Sequence, residues 1–118
     1  MRLVTVGVSA KFDSAHNLPS HPSKCRQMHG HTWHVEVEVT GTPDLETGMV
    51  IDFSALKTIL GNVVDTLDHT SLNLTFDNPT CENIALYISG QLKVKGLSSY
   101  VLSVKVREGE GGWACSKL

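Results

Sequence analysis

Hydrophobic and polar residues alternate along two stretches in the first third of the chain. One apolar face runs from Val4 to Phe12, and the same parity continues to His16. A second stretch places every other residue from His31 to Val39 on one face, with mostly polar residues between them. Period-two alternation is typical of half-buried β-strands. Two strands are therefore predicted, separated by a loop rich in Pro and Ser.

The middle of the chain changes to a helical periodicity. Asp52 and Thr80 each precede an apolar stripe with helical spacing, so they are predicted to be the N-caps of two helices. Gly96 is predicted to end the second helix. The first stripe consists of Phe53, Leu56, Leu60, Val63, Val64 and Leu67, and the second of Ile84, Ala85, Ile88 and Leu92.

Alternation returns in the last part of the chain and completes the order of elements. Residues 100–106 form a third predicted strand, and the glycines between 109 and 112 turn the chain into a short fourth strand at 113–116. The order ββααββ predicts an α+β fold, in which an antiparallel four-stranded sheet carries two helices on one face. We expect residues 1–118 to form a single domain, and the open sheet edges favour pairing with another subunit.

The composition argues against several classes of partner. Ten Lys and Arg against twelve Asp and Glu give a formal net charge of −2, and no basic run indicates binding to nucleic acid or to a membrane surface. The alternating N-terminus is typical neither of a signal peptide nor of a membrane span, so a cytoplasmic location is expected. Three cysteines without a secretory signal favour reduced thiols over disulfides.

Five of the six histidines lie before residue 35. His29 and His31 are two residues apart, so at the start of a strand both side chains point to the same side of the sheet. His16 ends the first strand on the parity of its buried face, and antiparallel pairing can bring it beside the other two. Three neutral imidazoles with an open fourth position are typical of a catalytic zinc site. The alternative is a plain junction between loop and strand, and His34 on the opposite face and His21 in the loop are weaker candidates.

Four other residues carry groups whose role the spacing alone leaves open. Cys25 follows Lys24 and lies close to the histidines, a setting that lowers the pKa of a thiol. It could be a fourth zinc ligand, a base or nucleophile, or a small buried residue. In the pair Asp68 and His69 the carboxylate favours a protonated imidazole suited to proton transfer, although His69 could instead cap the end of the first helix. Glu108 could accept hydrogen bonds from a bound heterocycle or be solvated.

Six short motifs follow one another in order along nearly the whole chain. They are FDSAH at 12–16, C-x3-HGH at 25–31, IDF-x-x-LK at 51–57, LDH at 67–69, NPT-x-EN at 78–83 and V-x-E at 106–108. Together they resemble the 6-pyruvoyl-tetrahydropterin synthase family. The short C-x3-HGH interval resembles the bacterial and archaeal branch that makes 6-carboxy-5,6,7,8-tetrahydropterin in queuosine biosynthesis, whereas the animal enzymes have a longer interval.

The resemblance implies a fold, an assembly and a metal. The tunnelling fold, or T-fold, joins the sheets of three subunits into a barrel, and two trimers stack into a homohexamer with sites at subunit interfaces. Carried over by motif, His16, His29 and His31 would hold Zn²⁺. Cys25 would be the catalytic base, with Asp68 and His69 as its proton-relay partners. Glu108 would anchor the pterin ring, and Thr80 and Cys81 would bind the pterin through the backbone.

The implied reaction is that of a lyase acting on a reduced pterin. It converts 7,8-dihydroneopterin triphosphate into 6-carboxytetrahydropterin with release of acetaldehyde and triphosphate. One alternative is a 6-pyruvoyl-tetrahydropterin synthase, which eliminates triphosphate but keeps the carbon chain. Another is a non-catalytic zinc domain in which Cys25 is the fourth zinc ligand and no position stays open. A third is a pterin-binding relative without turnover. The family often has Ser or Ala at position 81, and a thiol at a helix N-terminus can be reactive.

Overall fold

The computed structural model describes residues 2–117 and contains the predicted order of strands and helices. Each strand pairs antiparallel with the next, which gives a four-stranded sheet in the order β1-β2-β3-β4. The strands are β1 (Val4–His16), β2 (His29–Gly41), β3 (Val101–Glu108) and β4 (Trp113–Lys117), and the helices between them are α1 (Phe53–Val64) and α2 (Cys81–Leu92).

The two helices cover one face of the sheet and bury its apolar side chains. Trp33, Val35, Val37 and Val39 alternate along β2 and are completely buried. On the other face of the same strand, Glu36 and Glu38 are exposed. Burial of aliphatic side chains stabilises a fold by roughly 1.5–3 kcal/mol for each residue, so this core accounts for the position of the helices. The predicted α+β architecture is confirmed.

Both predicted N-caps hold the first turn of their helix. The Asp52 carboxylate accepts a hydrogen bond from the Ala55 backbone N–H at 2.9 Å. The Thr80 hydroxyl accepts one from the Asn83 backbone N–H at 3.1 Å. Each bond satisfies one of the N–H groups that a helix leaves without an internal partner.

The ends of three elements differ from the sequence prediction. The first helix ends at Val64, before the last residue of the predicted apolar stripe. Leu67 lies in the following turn and is still completely buried, so the stripe packs into the core beyond the end of the helix. The second strand begins at His29 rather than His31. The second helix ends at Leu92 and passes into a π-turn, Lys93–Leu97, in which Gly96 breaks the helix with a φ of 117°. Within residues 2–117, no helix is long and apolar enough to cross a membrane.

Replacing a core leucine tests this packing. Leu60 on α1 is completely buried, so Leu60→Ala should lower the free energy of unfolding by about 2–5 kcal/mol. Leu86 on α2 is 61% exposed, and Leu86→Ala should change it by no more than about 0.5 kcal/mol. Urea unfolding of both variants measures the difference, and equal losses would contradict the described burial.

Candidate functional site

The register between β1 and β2 brings three histidines together on the face of the sheet that the helices cover. His16 pairs with His29, and Ser14 pairs with His31. The His16 ring centroid lies 4.6 Å from that of His29 and 5.3 Å from that of His31, and the latter two are 4.8 Å apart. The three imidazoles therefore converge, as the sequence predicts.

Backbone carbonyls set the tautomer of two of these rings. His16 Nδ1 donates to the Pro79 carbonyl oxygen at 2.8 Å, and His29 Nδ1 donates to the Gln27 carbonyl oxygen at 2.7 Å. Each bond leaves the Nε2 lone pair free to bind a metal, which is the usual arrangement for ligating histidines. Burial lowers the pKa of His16, which favours the neutral imidazole that a metal requires.

The Nε2 atoms of His16 and His31 are buried and make no hydrogen bond. Glu108 is the nearest carboxylate. Its Oε1 lies 3.0 Å from His31 Nε2 without hydrogen-bond geometry, and its Oε2 lies 3.8 Å from His16 Nε2. One ligand atom from each of His16, His29, His31 and Glu108 lies within 4.8 Å of the other three. Buried polar atoms normally have partners, so this donor set fits a divalent transition metal such as Zn²⁺.

Strand pairing and a tight turn position Glu108. It ends β3 opposite Trp33, whose buried ring lies beside the rings of His16 and His31. Gly109 then takes a φ of 54°, which suits glycine, and its N–H donates to the Thr32 carbonyl. The carboxylate can complete the coordination of a metal or accept hydrogen bonds from a molecule bound beside it. The predicted role of Glu108 as a pterin anchor stays a prediction.

The N-terminus of α2 lies next to the histidine cluster. Pro79, which holds His16, immediately precedes Thr80 and Cys81. The Cys81 thiol lies near Glu108, and its pKa is raised to about 11, first by burial and then by the charges of Glu108 and Glu82. Burial of the thiol therefore opposes the lowering of its pKa that a helix N-terminus would give.

Asp68 and His69 form a second cluster, together with Asp13. His69 Nδ1 lies 2.9 Å from Asp68 Oδ2, and one ligand atom from each of the three residues lies within 4.8 Å of the others. The paired carboxylate raises the pKa of His69, as the sequence predicts for a proton-transfer pair. Sequence reasoning missed Asp13, because its contact with residue 68 spans 55 positions and leaves no local pattern.

The alternative that His69 caps the end of α1 is wrong. The hydroxyl of Thr66 donates to the Val63 carbonyl, and the hydroxyl of Thr70 donates to the Leu67 carbonyl. His69 instead has a left-handed backbone, with a φ of 54°. Its side chain is 79% exposed.

Cys25 lies in neither cluster. It occupies a short 3₁₀ turn, Lys24–Arg26, and is only half-buried, which argues against the reading as a small core residue. Its Sγ is not among the atoms that gather around His16, His29 and His31, so within residues 2–117 Glu108 is the fourth candidate ligand. His21 and His34 also lie outside the cluster, and His34 faces away from the helices as predicted. Within one chain, Cys25 therefore does not belong to the cluster that contains Asp68 and His69.

A solved structure shares this fold along the whole chain. A 6-pyruvoyl tetrahydropterin synthase from Caenorhabditis elegans superposes with a TM-score of 0.87 at 28% identity, covering 100% of this chain and 97% of the other. The fold is therefore the T-fold. The family model described as 6-pyruvoyl tetrahydropterin synthase matches residues 5–117. The chain belongs to the 6-pyruvoyl tetrahydropterin synthase family.

Three relatives illustrate the range of activities in related sequences. A protein of Archaeoglobus fulgidus, provisionally named 6-carboxy-5,6,7,8-tetrahydropterin synthase, is 47% identical over 92% of this chain and 91% of its own length. A Synechocystis protein named 6-carboxy-5,6,7,8-tetrahydropterin synthase is 43% identical over 82% of this chain and 80% of its own length. The dihydroneopterin monophosphate aldolase of Pyrococcus furiosus is 43% identical over 75% and 82%, respectively.

Removal of one imidazole tests the metal centre without any enzyme assay. His29→Ala should weaken Zn²⁺ binding by more than about 100-fold, because loss of even an outer-shell partner commonly costs 10–100-fold. His34→Ala is the matched control, since His34 lies on the opposite face of β2. Competition with a chromophoric chelator measures both affinities. Unchanged affinity in His29→Ala would remove His29 from the ligand set.

Proposed function

We propose that this protein is a zinc-dependent lyase that converts 7,8-dihydroneopterin triphosphate and water into 6-carboxytetrahydropterin, acetaldehyde and triphosphate, a cytoplasmic step of queuosine biosynthesis. The observation that carries the proposal is the convergence of three imidazoles, two of them with their Nδ1 atoms bound to backbone carbonyls, beside Glu108. The names of the relatives from Archaeoglobus and Synechocystis support the choice of product.

The residues around the metal would bind and orient the substrate. Zinc held by His16, His29 and His31 would supply Lewis-acid chemistry at the substrate side chain. Glu108 would accept hydrogen bonds from the N–H groups of the pterin ring. Thr80 and Cys81 would bind the pterin through the backbone at the start of α2. The Cys81 N–H lacks a partner within the helix and would donate to the pterin, whereas the Thr80 N–H already donates to the Asn78 carbonyl oxygen at 2.9 Å.

The remaining groups would move protons. Cys25 as a thiolate would remove a proton from the substrate side chain. The imidazole of His69, whose protonated form Asp68 favours, would return one to the product. The raised pKa of His69 suits this role, because it increases the fraction of the proton donor at neutral pH.

A homohexamer with shared sites would bring these groups together. Asp68 and His69 lie along the free edge of β1, where the Asp68 carboxylate accepts the Asp13 backbone N–H, and the His69 side chain extends into solvent. At the other end of β1, an apolar hollow of about 270 Å³ is lined by exposed side chains that include Val4, Met49 and Phe53. Open edges and exposed apolar patches are typical of subunit interfaces.

Product analysis tests the proposed reaction. Zinc-loaded protein incubated with 7,8-dihydroneopterin triphosphate should give 6-carboxytetrahydropterin and acetaldehyde, measured by mass spectrometry. Cys25→Ala should lower the rate by at least about 100-fold, because it removes the proposed base. Cys115→Ala is the matched control, since Cys115 lies on β4 outside both clusters and should leave the rate unchanged.

Other outcomes of this experiment would indicate a different function. A 6-pyruvoyl product would indicate triphosphate elimination alone. Turnover of 7,8-dihydroneopterin monophosphate in preference to the triphosphate would indicate the activity named for the Pyrococcus relative. Unchanged substrate with zinc bound would indicate a non-catalytic zinc or pterin-binding domain.

Co-expression of two inactive variants tests whether sites are shared. If Cys25 of one subunit acts with His69 of another, hexamers that mix Cys25→Ala and His69→Ala chains should regain about a quarter of the wild-type activity, since a quarter of their sites keep both groups. Cys25→Ala mixed with His29→Ala is the control and should stay inactive, because the proposal takes both of these residues of a site from the same chain. No recovery in the first mixture would contradict sharing.

A further inference from the structure

The segment that carries Asp68 and His69 lies along the free edge of β1. The His69 N–H donates to the Asp13 carbonyl at 2.7 Å, and the Asp13 N–H donates to Asp68 Oδ1 at 2.9 Å. Further along, the Ala15 N–H donates to the Thr70 carbonyl at 3.2 Å. Asp13 is thus the residue of β1 that holds both members of the pair through its backbone.

The hydrogen bonds of Asp13 constrain the orientation of the imidazole. Asp68 uses Oδ1 for the Asp13 N–H and Oδ2 for His69 Nδ1, so its carboxylate is fixed on both sides. His69 has a left-handed backbone, which costs a residue with a Cβ free energy and persists only where other contacts compensate. The bond from its N–H to the Asp13 carbonyl is such a contact.

The Asp13 side chain adds a second carboxylate to the cluster. Its Oδ1 accepts a hydrogen bond from the Thr32 hydroxyl at 2.6 Å, across the β1–β2 pair. Two negative charges therefore lie beside one imidazole. The pKa of His69 is raised first by the hydrogen bond and charge of Asp68 and further by the charge of Asp13, while desolvation opposes them.

We propose that Asp13 is a positioning residue for the Asp68–His69 pair: its backbone fixes the pair on the edge of β1, and its carboxylate, held by Thr32, favours the protonated imidazole. Within residues 2–117, the charged groups that act on His69 are Asp68 from its own turn and Asp13 from β1, and Thr32 of β2, which contacts Asp13, is uncharged. This role rests on the proposed function only in that His69 would donate protons during turnover.

Asp13→Asn separates the charge from the backbone contacts. The amide keeps an oxygen that can accept from Thr32, and the backbone N–H and carbonyl remain. Titration of His69 is followed by NMR of histidine-labelled zinc-loaded protein, with His69→Gln to assign the signal. We expect the midpoint of His69 to move to lower pH in Asp13→Asn, because a negative charge that favours the protonated ring is lost. The alkaline limb of the kcat profile should move in the same direction.

Two further variants keep this test decisive. Glu36→Gln removes a carboxylate from the same face of the sheet, outside the cluster, and should leave the His69 midpoint unchanged. Thr32→Val keeps both charges but releases the Asp13 carboxylate, and should give a smaller downward shift than Asp13→Asn. An unchanged midpoint in Asp13→Asn, or a shift equal to that of Glu36→Gln, would overturn the proposal.

The NMR titration also distinguishes a failure of the proposed function from a failure of the role proposed for Asp13. If the protein does not turn over the pterin but Asp13→Asn shifts His69, the proposed function fails and the role of Asp13 stands. If turnover occurs and the His69 midpoint does not move, the role of Asp13 fails alone.

Discussion

Antiparallel pairing of β1 with β2 places His16 opposite His29 and Ser14 opposite His31. Because side chains alternate between the faces of a sheet, this register puts all three imidazoles on the helix-covered face. A slip of one residue would move His29 and His31 to the open face and leave His16 alone. The candidate metal centre therefore depends on the pairing that also buries Trp33 and the valines of β2, so the stability of the core and the geometry of the site share one constraint.

The same register separates two kinds of chemistry. Asp13 and Thr32 pair on the open face, so the Asp13 carboxylate that acts on His69 lies on the other side of the sheet from the candidate metal ligands. The separation keeps Asp13, Asp68 and His69 away from the imidazoles that could bind a metal. It also means that one chain does not bring its own His69 to its own histidine cluster, and a neighbouring copy offers the simplest way to combine them.

Much of this arrangement could be predicted from the sequence, because it follows local rules. Period-two alternation predicted the strands, and parity together with antiparallel pairing predicted that His16 lies beside His29 and His31. Other features depend on contacts between distant residues. Glu108 joins the histidines only through the β2–β3 register, and Asp13 meets Asp68 only because a turn packs on the edge of β1. Spacing indicates neither contact.

The pKa of an individual side chain was even harder to predict from the sequence. A cysteine at a helix N-terminus has a low pKa when it is exposed, but Cys81 is desolvated beside Glu108 and its pKa rises to about 11. Burial depends on the tertiary structure, and here it raises the pKa that the helix N-terminus by itself would lower. Cys81 is therefore better suited to filling space beside the site than to reacting in it.

Two features of the site are unfavourable for the fold by itself, and both lie where the proposed chemistry needs them. Buried Nε2 atoms on His16 and His31 lack hydrogen bonds, and such atoms commonly cost about 1–3 kcal/mol each. His69 holds a left-handed backbone. A metal bound to the imidazoles would remove the first cost and stabilise the fold by its own binding free energy. Metal affinity and folding stability would then be linked, whereas the strain at His69 is offset by its contacts with Asp13 and Asp68, which do not involve the metal site.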